Sequence, residues 1–238
     1  MPELPEVETV RVGLKRLIVG KKVASQSHDW PKSFPNSQGD VNQFLIGSKI
    51  SDVRRRAKVL IIDLDTKYSL VIHLKMRLLP TIEIPNIDFM KKVGPEPLET
   101  EFTSDILHQR LQRRKNSSIK AALLDQTVLA GIGNIYADES LWGAKIHPET
   151  KVGQLTKPQT KKLYTEIVNV LRLSIEKGGS TDRNYVNAEG KKGSYIEFAK
   201  VFRRENLPCP RCSTTIIKTR VAGRGTHLCP KCQVVQND

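Results

Sequence analysis

Apolar residues at the start of the chain recur at helical intervals. Four of them fall on one face of a helix, at steps of three or four residues: Val7, Val10, Leu14 and Leu17. We therefore predict a helix over residues 4–18. Pro5 supports this start, because N–H groups in the first turn of a helix have no partner within the helix, so that the N–H missing in proline costs no hydrogen bond there.

A different pattern follows, in which apolar and polar residues alternate. Residues 53–65 (VRRRAKVLIIDLD) pass from a basic stretch into this alternation, and residues 68–74 (YSLVIHL) resume it after a turn-like Asp-Thr-Lys. Alternating runs separated by a short turn predict a β-hairpin within a β-rich N-terminal region. The next segment, 80–97, contains four prolines and Gly94, which predicts a linker.

Beyond residue 98 the apolar spacing returns to that of helices. It predicts four of them, over 104–114, 117–130, 135–144 and 157–177. Ser104 would cap the first of these helices, and Gly131 would end the second. No internal repeat is visible in the sequence. Together these elements predict a protein of the α+β class.

The chain is strongly basic. Its 39 Lys and Arg residues against 25 Asp and Glu give a formal net charge of +14, with a pI of about 9.7. Such an excess favours nucleic acid as partner, because phosphates neutralised by basic side chains release condensed counterions. An anionic membrane surface, or charge that serves only solubility, is the alternative. No run of about 20 apolar residues and no basic-then-apolar leader occurs, so we expect a cytoplasmic protein without a membrane span.

All four cysteines lie in the basic tail of the chain. They form two pairs of equal internal spacing, sixteen residues apart: Cys209-Pro-Arg-Cys212 and Cys229-Pro-Lys-Cys232. Two such pairs predict a zinc ribbon, in which four thiolates complete a tetrahedron and leave no open position. We therefore predict one structural Zn²⁺; the alternative is four unrelated thiols.

Two glycine-containing turns are candidates for phosphate contacts. In the first, Gly131-Ile-Gly133-Asn134 separates two predicted helices, and Asn134 is suited to cap the second. Gly131 and Gly133 would let the backbone approach a phosphate at the positive end of that helix. In the second, glycines flank Arg224, which suits a hairpin tip that presents one guanidinium. Either turn alone is weak evidence, since glycine turns between helices are common.

The N-terminus offers a nucleophile. With Met1 removed, Pro2 would present a secondary amine that can attack C1′ of a sugar and form an iminium there. The positive end of the following helix disfavours a second cation, which helps to keep this amine unprotonated. Glu3 and Glu6 stand beside it as candidate acid and base. Acidic residues in a first helical turn are also ordinary capping groups.

These motifs together match a known family. PELPEVETV at residues 2–10 resembles the start of bacterial formamidopyrimidine-DNA glycosylases, and it differs from the PEGPE opening of their endonuclease VIII relatives. Further family motifs follow in family order: RRRAKVLIIDL, HLKM, GPEPL, LLDQTVLAGIGNIYADE, GSTDRNYVNAEGKKGSY and CPRC…VAGRGTHLCPKCQ. The resemblance covers nearly the whole chain.

The resemblance implies a fold and a function. The fold would comprise an N-terminal β-sandwich with its leading helix in residues 1–98, a helix-two-turn-helix domain in 99–195 and a zinc-ribbon finger in 196–238. The function would be that of a bifunctional DNA glycosylase and abasic-site lyase, which removes 8-oxoguanine and formamidopyrimidines. We expect a monomer, associated with the nucleoid, whose partner is damaged double-stranded DNA and whose metal is the single Zn²⁺.

The resemblance also implies roles for single residues. Pro2 would be the nucleophile, Glu3 the acid that assists opening of the sugar ring, and Glu6 a residue that orders the site. Lys58 would contact the phosphate near the lesion and aid strand elimination.

Other residues would hold the DNA. Asn134 and Arg224 would bind the phosphates on either side of the flipped nucleotide, and residues 178–190 would close over the extruded base. Met76 fits one of three family residues that fill the gap left by that base, whose extrusion costs a few kcal/mol.

The chain departs from the family pattern in one place. Between His73 and Gly94 it is far shorter, and the Arg-Phe pair that family members insert into the DNA is missing. We therefore expect open edges on the N-terminal sheet and weak discrimination of the opposite base. Two alternatives stay open: a non-catalytic or weakened binder of damaged DNA, and an enzyme of the endonuclease VIII type that acts on oxidised pyrimidines.

Overall fold

The computed structural model describes residues 2–73, 75–181 and 185–235. These residues form an antiparallel sheet, a helical region and a small β-hairpin next to the cysteines, which confirms the predicted α+β class. No helix in these three ranges is long and apolar enough to cross a membrane. The domain boundaries after residues 98 and 195 stay predictions.

The elements of the described residues run as follows. The α-helices are α1 (Leu4–Ile18), α2 (Gln38–Asp40), α3 (Asp88–Lys92), α4 (Ser104–Gln112), α5 (Ile119–Leu124), α6 (Asn134–Ala144) and α7 (Lys157–Glu176). The strands are β1 (Ile50–Arg56), β2 (Val59–Leu64), β3 (Tyr68–Ile72), β4 (Met76–Pro80), β5 (Ile217–Val221) and β6 (Arg224–Leu228). Short 3-10 turns cover Pro31–Ser33, Thr81–Asn86, Val152–Gln154 and Tyr195–Phe198, and a π-helical turn covers Val41–Leu45.

Strands β1 to β4 form one antiparallel sheet in sequence order. The predicted hairpin is β2–β3, but the run 53–65 contains two strands and not one. The chain reverses between Arg56 and Val59, which pair with each other, and Ala57 takes a left-handed φ of 53° at that turn. The run was misjudged because nothing in its alternation marks a two-residue turn without glycine.

The two faces of the sheet are covered differently. Helix α1 and residues 34–46 pack on one face, around a buried set that includes Val53, Leu60, Ile62 and Leu70. Residues 81–92 cover the other face. Within the described residues, the second layer of the expected sandwich therefore consists of helical turns.

Residues 80–97 are not the free linker that their prolines indicated. Ile84 is only 4% exposed, and it packs with Ile87, Phe89 and Met90 on the sheet. The prediction was wrong because it weighed the prolines and passed over apolar residues at three-residue steps between them. This short segment contributes to the core of the N-terminal region.

The expected open edges of the sheet are partly closed. At β4, the Asn36 amide donates to the Leu78 carbonyl (2.6 Å), and the Leu78 N–H donates to Asn36 Oδ1 (2.8 Å). This pair satisfies the outward backbone groups of one edge residue without another strand. At β1, the Ile50 N–H donates to the Lys21 carbonyl (2.9 Å).

The helical region has its own apolar core. It is built by helices α4 to α7, and its fully buried members include Leu107, Leu123, Tyr136, Leu163 and Ile167. The cap of α4 is Thr103 and not Ser104, since the Thr103 hydroxyl accepts from the Ile106 N–H (3.3 Å). Helix α5 ends at Leu124, well before the predicted residue 130, because Asp125 Oδ1 accepts from the Thr127 N–H (2.9 Å) and turns the chain.

Candidate active site

Glu3 lies where the start of α1 meets the helical region. Its neighbour Leu4 donates its N–H to the Gly131 carbonyl (3.0 Å), which fixes α1 against the turn before α6. The Glu3 carboxylate accepts from the Ile135 N–H (3.3 Å). The first turn of α6 therefore binds a carboxylate from a distant part of the chain.

This geometry corrects the role of Asn134. We expected its side chain to cap α6, but the cap position is Gly133, and the Ile135 N–H is bound by Glu3. A carboxylate is favoured there because the end of a helix carries unpaired N–H groups and a partial positive charge. Asn134 Nδ2 instead donates to the Gly225 carbonyl of the β5–β6 hairpin (3.0 Å).

Burial changes the acid strength of Glu3. The residue is 8% exposed, and burial raises its pKa to about 7, against the opposing influence of the Lys58 charge. A carboxyl with that pKa is protonated in about half of the molecules at neutral pH. Glu3 can therefore act as a general acid.

Glu6 holds the backbone around Glu3. Its Oε2 accepts from the Glu3 N–H (2.8 Å), while Oε1 accepts from the Ser180 N–H (2.7 Å) and from the Tyr136 hydroxyl. Burial raises the pKa of Glu6. Because both oxygens are bound, the side chain ties α1 to α6 and to the loop after α7, and its contacts suit an ordering role better than that of a base.

Lys58 enters the site from the turn between β1 and β2. Its Nζ donates to the Ile132 carbonyl (2.7 Å). Burial lowers the pKa of Lys58, while the negative charges of Glu3 and Glu6 act in the opposite direction. Pro2 is exposed and directly precedes Glu3. The four predicted catalytic residues therefore belong to one group.

Arg224 lies at the tip of the β5–β6 hairpin. It pairs with Val221, and the two residues between them, Ala222 and Gly223, have φ values of 51° and 73°. Two positive φ angles are what a tight two-residue hairpin turn requires. Arg224 is exposed, and its charge helps to lower the pKa of Lys58. The hairpin thus adds a second cation to the group.

A buried ion pair anchors this hairpin. Lys120 and Asp138 are fully buried with Nζ and Oδ1 2.6 Å apart. Lys120 also donates to Thr226 Oγ1 (2.7 Å) and the Gly225 carbonyl (3.1 Å), and Asp138 Oδ2 accepts from the His227 N–H (2.9 Å). Such a pair is tolerated when its hydrogen-bonding groups are satisfied. This ion pair was not predicted from the sequence, although a lysine in the apolar stretch IKAALL is a usable signal.

Met76 lies apart from this group. It is half-buried as the first residue of β4, opposite Ile72, and packs in the apolar cluster on the α1 face of the sheet. The role that the resemblance gives it stays a prediction.

The loop expected to close over a base lies on α1. The Tyr185 hydroxyl donates to the Glu6 carbonyl (3.3 Å), and Glu189 pairs with Arg16. Residues 182–184 of this loop lie outside the described residues. The loop therefore borders the residue that orders Glu3.

The four cysteine thiols converge on one point. Their Sγ atoms lie within 4.8 Å of one another, with Cys212 and Cys229 3.4 Å apart and Cys209 and Cys232 4.0 Å apart. Ligands of a tetrahedral Zn²⁺ lie about 3.8 Å from each other, so this donor set fits one such ion. Four thiolates leave no ligand position for a substrate.

Sequence comparisons place these features in a family. The family model of the formamidopyrimidine-DNA glycosylase N-terminal domain matches residues 1–77, that of the formamidopyrimidine-DNA glycosylase H2TH domain 93–185, and that of the zinc finger found in FPG and IleRS 206–234. The formamidopyrimidine-DNA glycosylase of Latilactobacillus sakei is 38% identical over 277 aligned positions, which cover 100% of this chain and 99% of that protein. The chain belongs to the formamidopyrimidine-DNA glycosylase family.

Other members of the family are similar to this chain over nearly its whole length. The formamidopyrimidine-DNA glycosylase of Streptococcus pyogenes serotype M6 is 40% identical over 98% of both chains. The crystal structure of MutM (Fpg) from Thermus thermophilus has a TM-score of 0.90 at 32% identity, covering 99% of this chain and 100% of that one. Lactococcus lactis Fpg in complex with DNA containing an abasic site has a TM-score of 0.90 at 33% identity, covering 97% and 99%.

These matches confirm two predictions. The enzyme class is that of a DNA-formamidopyrimidine glycosylase, and the zinc-finger match together with the cysteine cluster confirms one structural zinc site. They also locate the departure from the family. The two larger family models leave residues 78–92 unmatched, and the Latilactobacillus alignment has 39 more positions than this chain has residues.

Gln126 is a further residue of this site that our sequence analysis missed. Its Nε2 donates to the Ile132 carbonyl (2.8 Å), which also accepts from Lys58, and its Oε1 accepts from the Gly131 N–H (3.0 Å). Both partners are backbone groups five and six residues further along the chain, where any residue type offers the same N–H and carbonyl. A glutamine beside a glycine turn therefore carries no local signal of this role.

Proposed function

We propose that this chain removes oxidised purines from damaged double-stranded DNA and then cleaves the strand at the resulting abasic site. The observation that carries the proposal is the meeting of Glu3, Lys58 and Arg224 around the turn before α6, beside exposed Pro2. An acid with a pKa of about 7 and two cations suit attack on a sugar that is flanked by phosphates.

The proposed chemistry begins at the Pro2 nitrogen. With Met1 removed, its lone pair attacks C1′ of the damaged nucleotide, and the bond from C1′ to the base breaks with its electrons leaving on the base. The departing base takes up the proton that the Pro2 nitrogen loses. Glu3 gives a proton to the sugar ring oxygen as the ring opens. The product is an iminium between the Pro2 nitrogen and C1′.

Strand cleavage follows from the same intermediate. The Glu3 carboxylate left by the first step takes a proton from C2′, and the electrons of that C–H bond are accepted by the iminium. The phosphate at C3′ then leaves with the electrons of its C–O bond. Lys58 would contact a phosphate near the lesion and stabilise the negative charge that develops there. Water then hydrolyses the iminium and frees Pro2.

The DNA is held, in this proposal, by phosphates on both sides of the flipped nucleotide. Asn134 and Arg224 would bind them from α6 and from the hairpin, which the Asn134–Gly225 hydrogen bond holds together. The structural Zn²⁺, held by the four cysteines, would keep that hairpin folded. The loop 178–190, which contacts α1, would cover the extruded base.

A panel of duplexes tests the proposal. Each would carry a single lesion (8-oxoguanine, a formamidopyrimidine, thymine glycol or a pre-formed abasic site), with undamaged duplex as the matched control. We expect release of the two oxidised purines, detected by mass spectrometry, together with strand nicking on a gel. Preferred release of thymine glycol would establish the endonuclease VIII type instead. Binding without any release or nicking would establish a non-catalytic binder of damaged DNA.

A further inference from the structure

The turn that carries Lys58 is held from outside its own hairpin. Ala57, its first residue, has a left-handed φ of 53°, which is unfavourable for a residue with a β-carbon. The Ala57 N–H donates to Glu96 Oε1 at 2.5 Å. Glu96 lies in the GPEPL motif, directly after the shortened segment, so the contact joins two parts of the chain that are 39 positions apart.

Two arginines fix the Glu96 carboxylate in place. Arg56 Nη1 donates to Oε1 (2.8 Å) and Arg55 Nη1 donates to Oε2 (2.7 Å). The side chains of Arg55 and Glu96 are only 8% and 9% exposed. Arg55 also pairs with Glu8 of α1 through its Nε (3.0 Å). The carboxylate that holds Ala57 is therefore itself rigidly held, in surroundings where charged hydrogen bonds are strong.

The segment that carries Glu96 is bound in turn to the helical region. The Gly94 N–H donates to the Gln126 carbonyl (2.8 Å), and the Ala130 N–H donates to the Pro95 carbonyl (3.0 Å). The Gln126 amide donates to the Ile132 carbonyl, the group that binds Lys58 Nζ. The residue before the lysine is thus held at its backbone N–H by Glu96, and the lysine ammonium is held by the Ile132 carbonyl. Both contacts lead to the turn before α6.

We propose that Glu96 is a positioning residue for Lys58, which fixes the lysine-bearing turn of the sheet against the turn before α6. The proposal rests on the proposed function of Lys58 at a phosphate. Glu96 touches neither DNA nor the reacting atoms in this account. It acts by setting where the Lys58 ammonium lies, and misplacement of a reacting group by about 1 Å can cost a hundredfold in rate.

The first arm of the test is a double-mutant cycle. Single-turnover cleavage of a pre-formed abasic site would be measured for wild type, Glu96→Gln, Lys58→Met and the double variant. We expect Glu96→Gln alone to lower the rate by about ten- to a hundredfold. In the Lys58→Met background the same change should alter the rate by less than about twofold, since its effect passes through Lys58. Equal losses in both backgrounds would overturn the proposal.

Matched variants separate position from folding. Glu99→Gln makes the same chemical change at an exposed site three residues along the chain, and should leave the rate unchanged. Glu96→Asp keeps the charge for both arginines but withdraws the carboxylate from Ala57 by one methylene. It should fold as wild type in thermal unfolding and still lose rate. A fully active Glu96→Asp variant would also overturn the proposal.

The second arm does not depend on activity. The groups facing Lys58 are Glu3 and Glu6 at the start of α1, Arg224 of the hairpin, and His73, which directly follows β3. The pKa of His73 is itself lowered by burial and by the Lys58 charge. Burial lowers the pKa of Lys58 in the wild type. Release of the turn in Glu96→Gln would expose the Lys58 ammonium, so that its pKa should rise toward the ordinary value. Titration of Lys58 by NMR measures this shift. If wild type cleaves no substrate, the proposed function fails, while an unmoved Lys58 titration is what refutes the role of Glu96.

Discussion

The carboxylate of Glu3 lies against the α-carbon of Gly133. A β-carbon at position 133 would fall within 2.6 Å of all three carboxylate atoms, closer than real β-carbons come to any neighbour. The φ of Gly133 is −133°, which any residue adopts, so the glycine is needed for space and not for backbone freedom. We had expected Gly133 to let the backbone approach a phosphate, and the group that it admits in the structure is Glu3.

Gly133→Ala should therefore displace the proposed acid. The added methyl forces Glu3 out of its position on α6, and we expect single-turnover cleavage of 8-oxoguanine duplex to fall by about a hundredfold. Gly39→Ala is the matched control, because the nearest atom to a new β-carbon there is 3.7 Å away. Circular dichroism would verify that both variants fold. Wild-type cleavage by Gly133→Ala would show that the placement of Glu3 is not needed.

The pKa of Glu3 predicts how stability depends on pH. Its folded-state pKa of about 7 lies above the ordinary 4.5, so between these values the unfolded chain gives up the proton that the folded protein keeps. The free energy of unfolding therefore falls as pH rises from 4.5 through 7, by about 3 kcal/mol in total.

Glu3→Gln, which has no proton to lose, tests this. Urea denaturation should find the variant more stable than wild type at pH 8, with the advantage gone at pH 4.5. Glu99→Gln, at an exposed position, should differ from wild type equally at both pH values. A Glu3→Gln advantage that is the same at pH 4.5 and pH 8 would refute the raised pKa.

Local patterns account for the elements that the sequence predicted correctly. Helices α1 and α7 follow from apolar residues at three- and four-residue steps, and the spacing within each cysteine pair indicates a metal site. The zinc ligands were found because each pair is adjacent in sequence. Elements and sites whose residues follow a local, regular spacing can therefore be predicted from the sequence.

The contacts that assemble the site have no such signal. Glu3 binds the N–H of Ile135, 132 positions away, and thereby takes the capping role that Asn134 was expected to play. The early end of α5 depends on Asp125 turning the chain, which competes with helix formation at a residue that helices also tolerate. Glu96 was recognised only as part of the GPEPL motif, because its partners lie in β1 and in the turn after it, about 40 positions away.

Arg224 should contribute a charge-assisted phosphate contact. Arg224→Ala is expected to weaken binding to abasic-site duplex by about 1.5–3 kcal/mol while keeping one zinc per chain. Arg220→Ala removes an exposed arginine from the neighbouring strand of the same hairpin, and should weaken binding far less. Fluorescence anisotropy would measure both affinities. Equal losses in the two variants would mean that the hairpin supplies only general positive charge.

Because of the shortened segment, the enzyme should discriminate poorly between cytosine and adenine opposite the lesion. Residues 81–92 pack on the sheet, with Phe89 stacked on His73 at 5.4 Å between ring centroids, and Met76 offers no hydrogen-bond donor. Excision of 8-oxoguanine should be weak and nearly equal opposite cytosine and adenine. Cleavage of a pre-formed abasic site, which needs less extrusion, should survive better. Strong excision with a clear preference for opposite cytosine would mean that another residue fills the gap.

Borohydride trapping detects the proposed bond between Pro2 and DNA, because it reduces the iminium to a stable amine. The protein would be reacted with 8-oxoguanine or abasic-site duplex under borohydride, digested, and the adduct located by mass spectrometry. We predict one adduct, on the processed N-terminal Pro2, and none in a variant whose N-terminal extension turns the proline nitrogen into an amide. The same extension at the C-terminus should leave trapping intact. An adduct on Lys58, or undiminished trapping in the N-terminally extended variant, would show that the Pro2 nitrogen is not the nucleophile.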